Sequence, residues 1–206
     1  MSSKIALVIL AAGQSSRMGQ PKQLLPWGAD ILINHIIKET LKVRYSAHFV
    51  VLGAHCTRIK SQLISGVQVL ENENWELGMG SSISYAVKSL KEDFDAIQFV
   101  LVDQPQVDAM YLKFMIHTYQ FKNYPVVATT YPDSIGIPAL FDKKYFPLLE
   151  NLQDTGAKEI LQQMDTDLKT VKPPYPLQDM DTLEDYQELY VQVFGKEPTL
   201  PNSSII

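Results

Sequence analysis

The stretch Ile5-Ala-Leu-Val-Ile-Leu-Ala-Ala-Gly-Gln-Ser-Ser-Arg-Met-Gly-Gln-Pro-Lys22 joins a run of apolar residues to a loop that contains two glycines. A run that is apolar without alternation predicts a central strand of a parallel sheet, covered on both faces. In an open α/β sheet, ligands bind outside the carboxyl ends of the strands. The loop that follows Leu10 is therefore the first candidate binding site.

Apolar runs alternate with helical periodicity along the rest of the chain, which is typical of an α/β sandwich. Further strands are predicted at 48–52, 67–70, 96–102, 126–130 and 168–171. Helical spacing of apolar residues predicts helices near 33–41 and over 83–90, 112–119, 157–164 and 186–193. The pattern predicts a single domain over residues 1–195 and a flexible tail over 196–206.

Composition excludes several classes of function. The 18 basic and 23 acidic residues give a net charge of −5, and the basic residues form no run. Nucleic-acid backbones are bound by clustered Lys and Arg, so no nucleic-acid partner is expected.

Cys56 is the single cysteine, which excludes an intramolecular disulfide. The apolar run at 5–12 is too short to span a bilayer and lacks a basic leader, so we expect no membrane partner and a cytoplasmic location.

The loop after the first strand has the chemistry of a phosphate-binding site. Ala11, Ala12 and Gly13 carry little side chain, so the backbone can come close to a ligand and its N–H groups can bind phosphate oxygens. Arg17 and Lys22 add two positive charges. On composition alone, the alternative is a surface turn with a solvated arginine and lysine.

Two familiar nucleotide-binding patterns do not fit this loop. The dinucleotide pattern G-x-G-x-x-G fails because Ser15 stands at its second glycine. The P-loop pattern fails because Met18 and Gly19 stand where it needs glycine and lysine. Spacing therefore leaves two alternatives, a different kind of phosphate-binding loop or the surface turn with a solvated arginine and lysine.

The pattern L-A-A-G-x-S-x-R-M-G-x-P-K-x-L-L-P over 10–26 resembles the signature of the nucleotidyltransferases that activate sugars, methylerythritol phosphate and molybdopterin. The resemblance covers about residues 4–190, and its nearest form is the CTP:molybdopterin cytidylyltransferase group. It implies a three-layer α/β sandwich with a mostly parallel, Rossmann-like sheet of the nucleotide-diphospho-sugar transferase (GT-A-like) type.

In that family the loop wraps a triphosphate, and an arginine and a lysine stabilise charge at the α-phosphate. The resemblance assigns these catalytic roles to Arg17 and Lys22. It also favours CTP over GTP, because the Ala-Ala-Gly form of the loop, with Ala12, is typical of cytidylyl enzymes. The nucleotide-binding residues that it implies are Leu10, Ala11, Ala12, Gly13, Ser15, Gly53 and Asn72.

A second segment, Asn72 to Ser82, resembles the N-x-x-W-x-x-G-M-x-x-S motif of the branch that handles molybdopterin. The motif implies substrate-binding roles for Gly78, Met79 and Ser82. The alternative is that Ser81 or Ser82 caps a helix that begins at 83. Trp27 and Trp75 are predicted to be packing residues, and His55 is a candidate neighbour of the base.

Two later segments resemble parts of the family that approach the acceptor. Gly136 and Pro138 match a G-x-P-x-x-F segment, but Ile137 stands where relatives handling molybdopterin often carry histidine. Asp154 opens a segment similar to G-D-x-G-A, with Gln153 in place of the first glycine. Asp154 is assigned to substrate binding, with a helix N-cap as the alternative.

Two aspartates are candidate ligands for Mg²⁺. Asp103 ends an apolar strand, so its carboxylate is expected beside the phosphates, where magnesium takes oxygen ligands. The alternative is that Asp103 caps a helix starting near Asp108. Asp181 lies in a segment that matches the family's D-I-D-T-x-E-D, which implies a second ligand. Its alternative is an N-cap completed by Glu184 in a capping box.

Together these features imply an Mg²⁺-dependent transfer of CMP from CTP to molybdopterin, with release of pyrophosphate. The enzyme alternatives are guanylyl transfer from GTP, or cytidylyl transfer to a methylerythritol or sugar phosphate. A non-enzyme alternative is a nucleotide- or cofactor-binding chaperone, which would be expected to lack Lys22 or Asp103. A molybdoenzyme or its maturation chaperone is the expected protein partner.

Overall fold

The computed structural model describes residues 3–122, 124–164 and 166–200. Its strands are β1 (Ile5–Leu10), β2 (Pro26–Trp27), β3 (Asp30–Ile31), β4 (Ala47–Leu52), β5 (Gln68–Glu71), β6 (Ala96–Leu101), β7 (Val126–Thr130), β8 (Ile135–Asp142) and β9 (Leu168–Val171). Its α-helices are α1 (Leu32–Leu41), α2 (Cys56–Lys60), α3 (Met79–Leu90), α4 (Ala109–Lys122), α5 (Phe146–Leu149), α6 (Lys158–Gln163) and α7 (Leu183–Phe194).

Seven of these strands form one sheet in the order β5-β4-β1-β6-β8-β7-β9, and β2 pairs with β3 in a small hairpin. Every neighbouring pair in the large sheet is parallel except the two pairs that involve β8. The predicted mostly parallel α/β sheet is therefore confirmed. Because β1 and β6 pair in parallel, with Leu10 opposite Leu101, the loops after both strands meet at one edge.

Strand β1 is buried on both faces, as its unbroken apolar run predicts. Leu7 and Ile9 enter a core cluster that also holds buried residues of α1, α2, α4 and α7. Ala6 and Val8 enter a second cluster with residues of α3, α5 and α6. The sheet is thus the middle of three layers, and each side of it has its own core.

The sequence prediction missed β8. Gly136 and Pro138 lie within this strand, and both residues usually mark a break. The pairing register with β7 shifts between Ala128 and Thr129, opposite this part of β8. Such an irregularity tolerates a proline without an N–H group inside a sheet. Helices α2 and α5 were also missed, because helices of five and four residues are too short to show a period.

At the C-terminus, residues 196–200 form neither helix nor strand, and 201–206 lie outside the described residues. The flexible tail therefore stays a prediction. Among the helices described, none is long and apolar enough to cross a membrane.

Candidate functional site

A cavity of about 270 Å³ opens at the carboxyl ends of β1 and β6. One wall is the loop after β1, and the opposite wall is the segment that leads into α3. Asp103, which follows β6, closes the floor between them. The lining residues are Leu10, Ala11, Ala12, Gly13, Gln14, Lys22, Gln23, Trp75, Glu76, Gly78, Met79, Ser82, Leu101, Val102 and Asp103.

The loop after β1 is held in shape by its own hydrogen bonds. The N–H of Ala54 donates to the Ala12 carbonyl at 3.0 Å, which ties the loop to the segment after β4. The buried Gln23 side chain donates through Nε2 to the carbonyls of Ala11 and Gly13, at 2.8 and 3.0 Å. Gln23 was not predicted as a site residue. It occupies an unspecified position of the loop pattern, and only the folded geometry shows its role.

Lys22 lies at the centre of a charged cluster. Its Nζ donates to Asp103 Oδ2 at 2.7 Å, to the Met180 carbonyl at 2.8 Å and to Asp181 Oδ1 at 3.3 Å. Its backbone N–H donates to Ser15 Oγ at 3.1 Å, which links both ends of the loop. The Lys22 side chain is only 12% exposed. One ammonium group therefore contacts two carboxylates, and Asp103, at 18% exposed, is better shielded from water than Asp181, at 42%.

Arg17 extends this cluster towards solvent. Its Nη2 lies 2.9 Å from Asp181 Oδ2, and the two side chains are 67% and 42% exposed. The fold thus brings together two predicted cations and two predicted metal ligands from three distant parts of the chain. An exposed guanidinium of this kind remains free to turn towards an anionic ligand.

The two aspartates fit a divalent metal that would complete its coordination with ligand phosphates. Within the described part of the chain, the buried Asp103 Oδ1 has no hydrogen-bond partner, and Oδ2 accepts a hydrogen bond from the Lys22 ammonium. Among the described residues, no group of three or more His, Cys, Asp or Glu side chains is placed to hold a metal. Magnesium sites beside phosphates commonly use one or two carboxylates and take their other ligands from phosphate and water. Asp103 and Asp181 match that pattern.

The capping alternatives for these aspartates are wrong. Thr182, not Asp181, is the N-cap of α7, and its capping box is completed by Asp185 rather than Glu184. Near the start of α4, Asp108 Oδ1 accepts the N–H of Tyr111 at 2.8 Å, so Asp103 has no capping role there. Both carboxylates are therefore available to the cleft.

The second wall of the cavity is the N-terminus of α3. This helix begins at Met79 with Gly78 as N-cap, so the prediction that Ser81 or Ser82 caps a helix starting at 83 is wrong. Both serines lie in the first turn, where the buried Asn72 amide donates to their hydroxyls at 3.0 and 3.1 Å. Asn72 therefore supports this wall without lining the cavity. The amino end of a twelve-residue helix favours an anion.

Glycines allow α3 to press against the segment before α6. Gly78 has φ 102°, and a Cβ added there would lie 2.5 Å from the Asp154 carbonyl oxygen. A Cβ added at Gly80 would lie 2.1 Å from the Thr155 carbonyl oxygen. The N-cap alternative for Asp154 is wrong, because Ala157 is the N-cap of α6. The Asp154 carboxylate instead accepts the N–H of Thr155 at 2.8 Å. Asp154 lines neither this cavity nor the second cavity that adjoins it.

A second cavity, also about 270 Å³, adjoins the first and shares Met79 and Leu101 with it. It contains Gly136, one of the residues assigned to the acceptor. The two compartments share a wall, so two ligands bound side by side would meet near Met79 and Leu101. The lining residues are Met79, Leu101, Gln104, Tyr131, Ser134, Ile135, Gly136, Ile137, Gly156, Ala157, Lys158 and Asp179.

A polar network that the sequence did not reveal crosses this second cavity. Gln104 Nε2 donates to the Tyr131 hydroxyl and to Asp179 Oδ1, both at 2.7 Å. The Tyr131 hydroxyl in turn donates to the Ile137 carbonyl. Burial, with a smaller contribution from the charge of Asp103, raises the pKa of Asp179. The D-x-D spacing of 179 and 181 was the only sequence signal for any of these residues.

Two assigned residues, Gly53 and Pro138, lie outside the lining of both cavities. The Pro138 carbonyl accepts the Thr129 hydroxyl at 2.7 Å, inside the sheet. Trp75 packs over Gly53, where an added Cβ would lie 2.4 Å from the Trp75 Cβ. Trp75 was predicted to be a packing residue, and it does contact the second core cluster, but it also lines the first cavity. His55 is exposed and precedes α2.

Comparison with known proteins identifies relatives of the whole domain. The family model described as the MobA-like NTP transferase domain matches residues 7–168, which confirms the resemblance drawn from the loop. The purine catabolism protein PucB of Bacillus subtilis is 27% identical over 194 residues, covering 87% of this chain and 92% of PucB. The bifunctional protein GlmU of Francisella tularensis is 24% identical over 162 residues. That alignment covers 78% of this chain, which thus spans about a third of GlmU (35%).

Two solved structures have similar folds. The Rv0371c homologue from Mycobacterium sp. strain JC1 has a TM-score of 0.80 at 24% identity, covering 94% of this chain and 98% of its own. The manganese complex of Rv0371c from Mycobacterium tuberculosis has a TM-score of 0.74 at 25% identity, covering 91% and 98%.

Proposed function

Because the chain belongs to the MobA-like NTP transferase domain family, we propose that it transfers CMP from CTP to a small phosphate-bearing acceptor, with molybdopterin as the first candidate. One observation carries the proposal. The Lys22 ammonium bridges Asp103 and Asp181 at the edge of a loop made of small residues. That arrangement places one cation and two carboxylates beside backbone suited to phosphates.

In the proposed reaction, a phosphate oxygen of the acceptor attacks the α-phosphorus of CTP. The bond from the α-phosphorus to the oxygen that bridges to the β-phosphate breaks, and pyrophosphate leaves. Negative charge grows on the α-phosphate oxygens and on the leaving group. Catalysis of such a transfer rests mainly on positioning and charge neutralisation.

Residues of this chain would supply both. Once it has left its carboxylates, Lys22 would stabilise the negative charge at the α-phosphate. The exposed Arg17 would stabilise the negative charge of the leaving pyrophosphate. A divalent cation held by Asp103 and Asp181 would neutralise phosphate charge beside them. The similar protein Rv0371c was solved as a complex with manganese, which supports a divalent metal as the cofactor.

The two adjoining cavities support the division of substrates. The first, with the loop after β1 and the N-terminus of α3, suits the nucleotide, and Trp75 offers an aromatic wall for the base. The second, with Gln104, Tyr131 and Asp179, suits the acceptor. The choice of CTP rests on the Ala-Ala-Gly form of the loop, and GTP is the alternative. A molybdoenzyme or its maturation chaperone would receive the product.

Pyrophosphate release with each of the four NTPs tests the proposal. Each reaction is run with Mg²⁺ or Mn²⁺, and with molybdopterin, methylerythritol phosphate, a sugar phosphate or no acceptor. We expect release that requires CTP, a divalent metal and molybdopterin. If GTP is the one NTP that gives release, the nucleotide substrate is GTP rather than CTP. If release requires an acceptor other than molybdopterin, that acceptor takes the place of molybdopterin in the proposal. Binding of NTP without release under any condition would favour a nucleotide-binding chaperone.

A further inference from the structure

Helix α4 is apolar on both of its faces. Tyr111, Leu112 and Met115 are buried against the sheet, as a surface helix requires. On the opposite face Met110, Phe114 and Phe121 are 74%, 46% and 75% exposed. A helix at the surface of a monomer normally carries polar residues on its outer face. Large apolar side chains grouped on one exposed face mark an interaction site.

These residues and His117 form a line on the helix, which we call the α4 stripe: Met110, Phe114, His117 and Phe121. Their spacing, i, i+4, i+7 and i+11, is the same when read from either end. A second copy of α4 lying antiparallel would therefore set Met110 against Phe121, and Phe114 against His117. The His117 ring already stacks on Phe121, with ring centroids 4.7 Å apart, so this part of the stripe is ordered within one copy.

The charges at the ends of α4 favour the same antiparallel partner. The helix itself contains two lysines, Lys113 and Lys122, and no acidic residue. Its N-terminal end keeps a net negative charge, because Asp108 precedes it and Glu39, which pairs with Lys42, accepts the N–H of Ala109 at 3.4 Å. Antiparallel pairing places Lys122 of each copy beside the acidic end of the other. Parallel pairing would set Lys122 against Lys122.

From this self-complementary spacing and charge we propose that the protein forms a two-fold homodimer through the α4 stripe, with the two α4 helices antiparallel. A two-fold interface uses the same patch on both subunits, so each stripe residue contributes twice. The proposal does not depend on the proposed function.

Sedimentation equilibrium over a concentration series tests the dimer. We expect a dimer with a dissociation constant in the micromolar range for the wild type. Phe121→Glu should raise that constant by about 10²-fold or more, since two buried rings are lost. The control Leu148→Glu changes a side chain that is 54% exposed on α5, and should leave the dimer intact. Circular dichroism checks that both variants fold.

Cross-linking tests the antiparallel geometry directly. In a Cys56→Ser background, Met110→Cys and Phe121→Cys proteins are oxidised alone and as a mixture. We expect strong disulfide dimers in the mixture and little within either protein alone. A wild type that stays monomeric at about 100 µM would overturn the proposal. So would a dimer that resists Phe121→Glu, or cross-linking that is equal in all three samples.

Discussion

Replacing Lys22 with methionine keeps the unbranched chain as far as Cε and removes the charged Nζ. Asp103, whose side chain is 18% exposed, loses an ion pair at 2.7 Å, and its other oxygen already has no hydrogen-bond partner among the residues that the structure describes. Coulomb attraction at this distance is about 6 kcal/mol for an effective dielectric constant of 20, and desolvation offsets much of it. An exposed ion pair adds under about 1 kcal/mol to the free energy of unfolding, whereas removing one partner of a buried ion pair lowers it by about 3–5 kcal/mol. For this partly shielded pair we expect a loss of about 2 kcal/mol in the free energy of unfolding.

Urea unfolding measures this loss, and pyrophosphate release measures activity. The double variant Lys22→Met with Asp103→Asn should recover about 1 kcal/mol or more, because it removes the unpaired charge. Its activity should stay at least about 10²-fold below wild type, because a charge-stabilising group is still missing.

Lys38→Met is the matched control: the ion pair of Lys38 with Asp30 is more exposed, so the loss should be under about 1 kcal/mol. Wild-type activity in Lys22→Met, with no more destabilisation than the control, would refute the reasoning.

Three further predictions concern the walls of the site. Gly80→Ala should cost about 1–3 kcal/mol of stability in urea, because its Cβ would lie 2.1 Å from the Thr155 carbonyl oxygen. Gly13→Ala, whose Cβ would meet nothing within 4 Å, should cost less, and equal losses would contradict the close packing. Tyr131→Phe should raise the KM for the acceptor about tenfold and leave the KM for CTP unchanged in steady-state assays, since one hydrogen-bonding hydroxyl is lost. Asp103→Asn should weaken Mn²⁺ binding in the presence of CTP by about tenfold or more in calorimetry, and unchanged affinity would remove Asp103 from the metal site.

The sequence predicted those elements and site residues that a short stretch of neighbouring residues identifies. The unbroken apolar run of β1 is typical of an element covered on both faces, and the structure places β1 inside the sheet, between β4 and β6. The loop that follows combines small residues with Arg17 and Lys22 within a few positions. Asp103 was found for the same reason, since it lies two residues after the end of the apolar strand β6.

What the sequence could not predict depends on contacts between distant residues. Gln104 meets Tyr131 and Asp179 across 27 and 75 residues, so no local pattern shows the network. Helix boundaries were misplaced for a related reason. Helix α3 begins early because Gly78 and Gly80 let it approach the backbone of 153–155, and that contact leaves no periodic signal in the sequence.

The central claim is that this chain transfers a nucleotidyl group from CTP. Its most direct test compares CTP labelled with ³²P at the α-phosphate with CTP labelled at the γ-phosphate, each with purified protein, molybdopterin and Mg²⁺ or Mn²⁺. The proposed reaction predicts that the α-label appears in the acceptor product and the γ-label appears in pyrophosphate. Label from the γ-position in the acceptor, or no transfer from either position, would contradict it.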